Sequence, residues 1–521
     1  MVKGSLREAT GYTNAYTFRN TLQYTGEYAG KHYISLFAGQ EIQERTAYNS
    51  FNYSPVFDEE HRIVGFPEMD GIDGSEINYN ALGGTGKSVS KMSSFFANAS
   101  YSYLDKYILT GALRYDGSDI IGNDNQFTPL WNVGLRLNLH REEFMKRWMW
   151  VDQFAVRGGF GYTGSIDKNA LPFVVMTLGQ SVVYDGQTVP TSFSYPNPNV
   201  KWQTKQDMNV GLDLSLFDYR LELGVNYYHN ITRDVLDRKA LPYSSGRSEV
   251  TENVADIYNS GWEIDLGVTL LKNKSFQWYA KANIAINDNK VKNTYYKDTE
   301  DLPRATLSNA HQFVENQPVN GWYGYKFAGI NPINGAVMTY TGNGEATLDM
   351  SVSGATWPTP SVFYLGNLTP PVVGGFSTSA NWKQLIFSAN FEFKTGHKIK
   401  SFNTFRSLDA RNRHTSEANR WREPGDITNV PAMSEAFTTY SSYMYDILLE
   451  KGNYLRCSYM TLGYNLKPEW LHKIGFSTAR LSFTAKNLFT ISSYSGIDPA
   501  LMGSFGYPNS RKYTITLNVG F

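Results

Sequence analysis

The sequence predicts an all-β protein, a transmembrane antiparallel β-barrel with about fifteen strands in this chain. Three observations predict it: many short segments alternate apolar and polar residues, the composition is rich in aromatics, and short connections alternate with long ones. Of the 521 residues, 15% are aromatic and 18% are charged. Tyr and Trp have an apolar ring and a polar tip, which suits a membrane–water boundary. The chain has no run of about 18 apolar residues, which argues against membrane-spanning helices.

The last nine residues show the alternation most clearly. Tyr513, Ile515, Leu517, Val519 and Phe521 fall on one face of an extended chain, and smaller, mostly polar residues fall on the other. A strand with one apolar and one uncharged polar face is typical of a barrel wall between lipid and a wet lumen. We therefore predict that this segment is the closing strand of an outer-membrane β-barrel.

Fourteen further segments alternate in the same way, some more regularly than others. The segment 131–140 is nearly perfect, with Trp131, Val133 and Leu135 on one side and Asn132 and Arg136 on the other. In chain order the predicted strands are 15–24, 33–45, 91–103, 107–115, 131–140, 153–162, 206–216, 220–229, 261–270, 277–287, 375–381, 385–393, 455–464, 480–489 and 513–521.

The connections between these strands sort the chain into two ends. The short ones are 25–32, 104–106, 141–152, 217–219, 271–275, 382–384 and 465–479. The long ones are 46–90, 116–130, 163–205, 230–260, 288–374, 394–454 and 490–512. A meander with short periplasmic turns and long extracellular loops is the barrel arrangement. A Greek-key sandwich would not sort its loops in this way.

The strand count and the amino terminus both favour a longer protein. With an odd number of strands the first and last run in the same direction, so they cannot close an antiparallel barrel on each other. The first five residues, MVKGS, also lack the apolar core of a signal peptide. We expect further strands upstream of Met1.

Several short blocks occur in a specific order along the chain. They are RYDGS (114–118) with EEFM (142–145), NPNVKWQT (197–204) with NVGLD (209–213), NVA (253–255) with NSGWE (259–263), WYGYKFAGI (322–330), LGN (365–367) with GGF (374–376), NRW (419–421), NYLR (453–456), KNLF (486–489) and GIDP (496–499). This ordered set resembles the SusC/RagA family of TonB-dependent outer-membrane transporters. The resemblance covers most of the chain from about residue 90 onward.

The resemblance implies a barrel of about 22 strands, of which residues 1–521 would be the carboxyl-terminal part, with no plug domain in this chain. The plug, the first strands and a segment that contacts TonB would lie upstream. It also implies a SusD-like surface lipoprotein as partner and outer-membrane lipids around the wall. The implied function is import of a nutrient, a glycan, oligosaccharide or peptide, through the outer membrane of a Gram-negative, Bacteroidetes-like bacterium.

Aromatic and basic loop residues are the candidates for ligand contact. Trp322, Tyr323 and Tyr325 could stack on a sugar or bond its hydroxyls. They could equally pack the long loop against its neighbours or lie in the interfacial girdle. The connection 394–454 could meet an acidic ligand or a lipopolysaccharide phosphate, or simply be solvated. Its arginines are Arg406, Arg411, Arg413, Arg420 and Arg422.

Other chemistry is weakly indicated, and we predict neither an enzyme nor a cofactor. The segment ALGGTGKS (81–88) is close to a phosphate-binding loop but lacks the preceding buried strand and following helix. Glu263 and Asp265 are expected to line the lumen rather than act as an acid–base pair, and Cys457 is expected to pack within a strand. The 8 histidines give no zinc spacing. A net charge of +0 argues against nucleic acid.

Two alternatives stay open. A passive porin-type barrel would need no plug and an even number of strands. A soluble β-rich glycan-binding protein or hydrolase would need a polar external face. The apolar face from Trp131 to Leu139 argues against that second alternative.

Overall fold

The computed structural model shows one large antiparallel sheet that follows the chain. The structure describes residues 4–58, 63–65, 83–119, 126–165, 176–184, 187–193, 201–240, 244, 249–295, 297–299, 313–348, 361–401, 418–432, 445–471, 475–502 and 506–521. The strands are β1 (Gly4–Tyr28), β2 (His32–Asp58), β3 (Ile63–Gly65), β4 (Gly83–Tyr103), β5 (Tyr107–Ser118), β6 (Phe127–Asn138), β7 (Val151–Ser165), β8 (Met176–Tyr184), β9 (Gln187–Phe193), β10 (Gln203–Leu216), β11 (Leu221–Ala240), β12 (Glu249–Lys272), β13 (Phe276–Lys292), β14 (Gly321–Gly324), β15 (Phe327–Ile330), β16 (Val337–Tyr340), β17 (Ala346–Leu348), β18 (Phe363–Asn367), β19 (Val372–Trp382), β20 (Leu385–Thr395), β21 (Lys398–Lys400), β22 (Leu449–Lys451), β23 (Tyr454–Asn465), β24 (Thr478–Ser492) and β25 (Lys512–Gly520).

Fifteen of these strands form the wall and pair with their sequence neighbours. The order is β1-β2-β4-β5-β6-β7-β10-β11-β12-β13-β19-β20-β23-β24-β25, and the short β3 pairs with β2. Every neighbouring pair in the wall is antiparallel. Each of the fifteen predicted segments overlaps one of these strands, so the predicted fold class is confirmed.

Within the described residues, β1 and β25 are the two edges of an open sheet. Fourteen successive antiparallel pairings make these two edge strands run in the same direction. The structure therefore has the odd-stranded geometry that the sequence predicts.

Several wall strands extend much further than predicted on the side of the long connections. The connection predicted over 230–260 is mostly strand, because β11 runs to Ala240 and β12 starts at Glu249. The ladder continues through polar pairs such as Asp237 with Glu252. Above a membrane the outer face needs no apolar side chains, so alternation fades in the sequence while backbone pairing continues. That is why alternation placed the strand ends too early.

The opposite end of the sheet carries the tight turns. Phe217, Asp218 and Tyr219 all have positive φ values, 61°, 57° and 56°, and the Tyr219 backbone N–H donates to Asp152 Oδ2 at 2.9 Å. The longer turn 139–150 includes the 3-10 segment Leu139–Arg141. A four-residue helix, Pro468–Leu471, lies in the turn before β24. No helix among the described residues is long and apolar enough to cross a membrane.

The long connections contain small sheets and a core of their own. β14 pairs with β18, β15 to β17 form a three-stranded sheet, β21 pairs with β22, and β8 pairs with β9. The 3-10 segments Asp446–Leu448 and Pro499–Leu501 also belong to these connections. The described parts of these connections, which we call the loop end, are therefore folded rather than independent loops.

Candidate functional site

The wall has two chemically different faces. The outer face carries large apolar side chains that remain exposed, including Leu109 (49%) and Leu113 (54%) on β5 and Val133 (43%) and Leu135 (46%) on β6. Because successive side chains of a strand point to opposite sides, the intervening residues form a second, inner face. The inner face is polar and is cross-linked by ion pairs. This is the division expected of a wall between lipid and a wet lumen.

An ion-pair network crosses the inner face of five neighbouring strands. Asp213 on β10 lies between two arginines, with Arg136 Nη1 at 2.8 Å from Oδ2 and Arg157 Nε at 3.5 Å from Oδ1. Arg157 Nη1 also donates to Asn226 Oδ1 at 3.5 Å. Asn226 Nδ2 in turn donates to Glu263 Oε2 at 3.2 Å. The network pairs its charges within the wall, which orients these polar side chains along the inner face.

Gly211 makes room for this network. A Cβ at this position would lie 2.7 Å from Arg157 Cζ, which is closer than real Cβ atoms approach other heavy atoms. The absence of a side chain lets the guanidinium lie flat on the neighbouring strand, within reach of Asp213. Glycine at position 211 therefore allows Arg157 to take part in the ion pairs of the inner face.

A second inner-face group combines aromatic rings with charges. The rings of Phe37 and Phe96 lie 5.6 Å apart between centroids, and Arg114 Cζ lies 5.9 Å from the Phe96 centroid. Arg19 donates to Glu41, and Arg114 Nε donates to both Asp116 carboxylate oxygens, at 2.6 and 2.8 Å. All of these side chains except that of Asp116 border a cavity of about 430 Å³.

Asp116 lies elsewhere than its neighbours in the sequence indicate. Its position beside Gly117 suggests a turn, but it lies within β5, buried and paired with Arg114. Nothing in the local sequence signals this pairing, because an aspartate before glycine is a common turn signature.

A buried ion pair joins the segment after β24 to the wall. Arg456 on β23 and Asp498 are 5% and 7% exposed, and Arg456 Nη2 donates to Asp498 Oδ1. Arg456 Nε donates to Thr490 Oγ1 at 3.0 Å, and Nη1 lies 3.8 Å from Glu392 Oε1. Asp498 also accepts the Ala500 backbone N–H at 2.9 Å, so it caps the turn that an aspartate before Pro499 indicates. Its arginine partner lies 42 residues away and was not predicted.

The predicted ligand-contacting aromatics lie in the core of the loop end. Tyr323 and Tyr325 are 0% exposed and Trp322 is 8% exposed. Trp322 Nε1 donates to the Lys398 carbonyl at 2.9 Å. The cluster around them contains Val314, Ile330, Val337, Val362, Leu365, Tyr445, Leu448 and Leu449. Direct ligand contact by Trp322, Tyr323 and Tyr325 stays a prediction, and it would require this core to open.

The loop core joins the two longest connections, 293–371 and 396–453. Tyr325 and Tyr445 form a parallel bridge, with ring centroids 6.0 Å apart. The Asp446 backbone N–H donates to the Tyr325 carbonyl at 3.1 Å, and Asp446 Oδ1 accepts the Phe327 N–H at 2.9 Å. Burial raises the pKa of the Tyr323 phenol above its usual range and that of Tyr364 to about 12. Both phenols therefore stay neutral at physiological pH.

The base of the 396–453 connection contains a buried histidine. His397 is 3% exposed, its carbonyl accepts the Gly452 N–H at 3.0 Å, and its Nδ1 is buried with no hydrogen-bond partner among the described residues. Burial, aided by the charge of Lys394, holds the pKa of His397 below its usual value. Nearby, Glu450 accepts from the Ser495 N–H at 2.8 Å and from Ser495 Oγ at 2.6 Å.

Burial alone would raise the pKa of the Glu450 carboxyl. Hydrogen bonds from Ser401 and Ser495 outweigh it and hold that pKa below its usual value. Glu450 therefore stays ionised and ties the connection after β24 to the one after β20.

The carboxylate, glycine-rich and cysteine candidates described by the structure lie in strands of the wall. Glu263 and Asp265 lie on the inner face, where Asp265 Oδ1 is 4.0 Å from Lys281 Nζ. Residues 83–88 of the glycine-rich segment belong to strand β4 rather than to a loop before a helix, and 81–82 lie outside the described residues. Cys457 is fully buried in β23, as expected.

In the described part of the chain, no group of three or more His, Cys, Asp or Glu side chains could hold a metal ion. Of the loop arginines, Arg406, Arg411 and Arg413 lie outside the described residues. Arg422 Nη2 donates to the Ala418 carbonyl at 2.8 Å.

The terminal strand has the predicted faces. Tyr513, Ile515, Leu517 and Val519 are 60%, 75%, 61% and 41% exposed on the outer face of β25. Phe521 follows the strand, 92% exposed, and its ring centroid lies 5.0 Å from that of Phe476. β25 pairs with β24 and is an edge strand within the described residues. Closure of a barrel by this strand stays a prediction.

Comparison with known proteins also indicates a β-barrel. The family model described as TonB dependent receptor-like, beta-barrel matches residues 3–392. TonB-dependent receptor P3 of Formosa agariphila is 28% identical over 539 residues, covering 96% of this chain and 52% of that protein. TonB-dependent receptor SusC of Bacteroides thetaiotaomicron is 23% identical over 453 residues, covering 82% of this chain and 43% of that protein. The chain spans about half the length of the curated relatives it matches.

Solved structures show the same fold. The RagAB peptide importer in its 'open-open' state superposes with a TM-score of 0.80 at 24% identity, covering 99% of this chain and 56% of that chain. The structure described as the RagAB peptide transporter gives a TM-score of 0.77 with the same identity and coverage. The fifteen-stranded wall is therefore an arrangement that these transporters share.

Proposed function

Because the chain belongs to the TonB-dependent receptor-like β-barrel family, we propose that it forms the carboxyl-terminal wall of a SusC-like outer-membrane transporter that imports a nutrient. The observation that carries the proposal is the two-sided wall, apolar outside and ion-paired inside, in a sheet that matches this family. Such a wall is suited to a bilayer on one side and water on the other.

The inner face supports import of a polar solute. Arg136, Arg157, Asp213 and Glu263 contribute two positive and two negative charges to one network, so this part of the wall has no strong net field that would trap an ion. A polar solute can exchange hydrogen bonds with such a surface as it passes. Relatives bear the names SusC and peptide importer, and the imported class proposed here is a glycan, an oligosaccharide or a peptide.

The proposal includes parts beyond this chain. A plug domain would fill the lumen and would be moved through contact with TonB, and upstream strands would complete the barrel. A SusD-like lipoprotein would cover the loop end. The named RagAB structures and the coverage of about half of each relative support a longer, multi-component assembly.

The loop end would act as the mouth of the transporter. Its core ties the connections 293–371 and 396–453 together, so movement of one is coupled to movement of the other. Ligand capture would then depend on the position of a folded unit rather than on separate flexible loops. Trp322, Tyr323 and Tyr325 would hold that unit together and could reach a ligand only when it opens.

The experiment that tests the proposal is purification followed by uptake. Solubilised outer membrane should yield this chain in complex with a plug domain and a lipoprotein. Cells lacking it should lose energy-dependent uptake of one nutrient class, measured with fluorescent peptides and oligosaccharides. Recovery as a detergent-free soluble monomer would refute the membrane assignment, and uptake that persists without TonB would favour a passive pore.

A further inference from the structure

Strands β1, β2 and β4 are much longer than a membrane crossing requires. A transmembrane barrel strand needs about 10 residues at its usual tilt, whereas these strands have 25, 27 and 21 residues. Their pairing is continuous, from Tyr28 with His32 at the turn to Asn52 with Gly83 at the far end. A three-stranded blade therefore continues past the membrane on the side of the long connections.

The outer face of this blade changes character with height. It is mostly apolar up to Ile42, which is 46% exposed, and becomes charged at Glu44, whose Oε2 lies 3.6 Å from Lys91 Nζ. Glu44 follows His32 by twelve residues. At about 3.3 Å per residue and a tilt of about 45° this is a rise of about 28 Å, close to the thickness of the hydrocarbon core. The Glu44–Lys91 pair thus marks the outer boundary of the membrane.

An aromatic and cationic cluster lies just above that boundary. Tyr12, Tyr48 and Lys87 form one cross-strand row, four residues beyond Glu44 along β2. The rings of Tyr12 and Tyr48 stack with centroids 4.8 Å apart and planes inclined by 22°. Lys87 Nζ lies 5.4 Å from the Tyr48 centroid, Tyr12 is 61% exposed, and Lys87 is also exposed. Lys91, four residues along β4, lies on the same face with a side chain 60% exposed.

We propose that Tyr12, Tyr48, Lys87 and Lys91 form a headgroup site for a phosphorylated glycolipid of the outer leaflet. At this height the neighbour of the outer face is the headgroup layer rather than hydrocarbon. Flat, half-polar tyrosine rings suit the faces and hydroxyls of sugars, and lysine ammonium groups suit phosphate. Lys87 and Lys91 lie four residues apart on the same face of β4, and the phosphate would lie between them. The inference rests on the outer-membrane placement in the proposed function and is independent of the imported solute.

The test measures lipid retained by the assembled transporter that contains this chain. The protein is purified in detergent, exposed to bisphosphorylated lipid A or to the same lipid without phosphates, and analysed by native mass spectrometry. Three variants are compared: Lys87→Ala with Lys91→Ala, Tyr12→Ala with Tyr48→Ala, and the control Arg45→Ala. Arg45 lies on the opposite face of β2 by alternation, so its loss removes a cation without touching the cluster.

Each lysine that faces an anionic lipid is worth a factor of about five, so the double lysine variant is expected to retain about twenty-fivefold less bisphosphorylated lipid A, with little change for the dephosphorylated lipid. The tyrosine variant should retain less of both, and Arg45→Ala should match the wild type. Equal retention by all proteins, or no preference of the wild type for the phosphorylated lipid, would overturn the site. Absence of the chain from the outer-membrane fraction would instead refute the placement, whereas normal placement with unchanged retention would refute this inference alone.

Discussion

Replacing Asp498 with Ala is expected to release the segment between β24 and β25 from the wall. The change leaves the Arg456 guanidinium, 5% exposed, without its main carboxylate partner. Removing one member of a buried ion pair costs about 3–5 kcal/mol. Glu392, 3.8 Å from Arg456 Nη1, compensates part of this loss, so we take about 3 kcal/mol, the lower end of that range. Because 1.4 kcal/mol is a factor of about ten, local opening should become about a hundredfold more frequent.

Hydrogen exchange followed by mass spectrometry measures this opening in the assembled transporter. The Ala500 amide, which donates to Asp498 Oδ1 at 2.9 Å, and its neighbours should exchange about a hundredfold faster. The double variant Arg456→Met with Asp498→Ala removes both charges and should recover much of the protection of the neighbouring amides, though not that of Ala500, whose acceptor is lost in both variants. As a control, Asp288→Ala breaks an exposed ion pair with Lys290, 2.8 Å long, and should change nothing measurable. Unchanged exchange in Asp498→Ala would refute the reasoning.

Three further predictions concern the wall and the loop core. Gly261→Ala places a Cβ 2.4 Å from a backbone oxygen of β13, so it should lower the free energy of unfolding by about 1–3 kcal/mol. Gly211→Ala meets only the flexible side chain of Arg157 and should lower it less. Equal melting temperatures of the two variants in thermal unfolding would contradict this. His397 has a depressed pKa, so its contribution to stability is full above the ordinary value of about 6.5 and falls as the pH drops towards the folded-state pKa. Exchange of residues 396–401 should therefore rise below pH 6.5 in the wild type but not in His397→Asn, and a pH-independent wild type would exclude this. Tyr323→Phe removes a buried hydroxyl with no partner among the described residues, so it should leave uptake unchanged and raise the melting temperature slightly. Lost uptake with normal folding would support direct ligand contact by Tyr323.

The membrane-spanning part of the wall could be predicted because lipid imposes alternation on the sequence. Trp131, Val133 and Leu135 face outward because a polar side chain there would lose its hydration, so the strand can be read from residue types alone. Above the membrane this constraint disappears. The pairing of Asp237 with Glu252 leaves no such pattern, which is why the strand ends were placed too early.

The packing of the loop core and the ion pairs could not be predicted from neighbouring residues in the sequence. Tyr325 is buried because it meets Tyr445, 120 residues later, and no local pattern shows that contact. Asp498 shows its turn role through the proline that follows it, but its pairing with Arg456 depends on how β23 and β24 lie side by side. Contacts distant in sequence decide whether a loop aromatic is exposed or buried, and an isolated sequence does not specify them.

The most direct test of the two-sided wall is spin-label scanning along β6. Single cysteines are placed at positions 131–136 in a Cys457→Ser background and labelled in the assembled transporter in bilayers. Labels at 131, 133 and 135 should be accessible to oxygen dissolved in lipid, and labels at 132, 134 and 136 should be shielded from it, a period of two along the strand. Accessibility to an aqueous nickel complex at all six positions, or no alternation, would contradict a membrane-spanning wall.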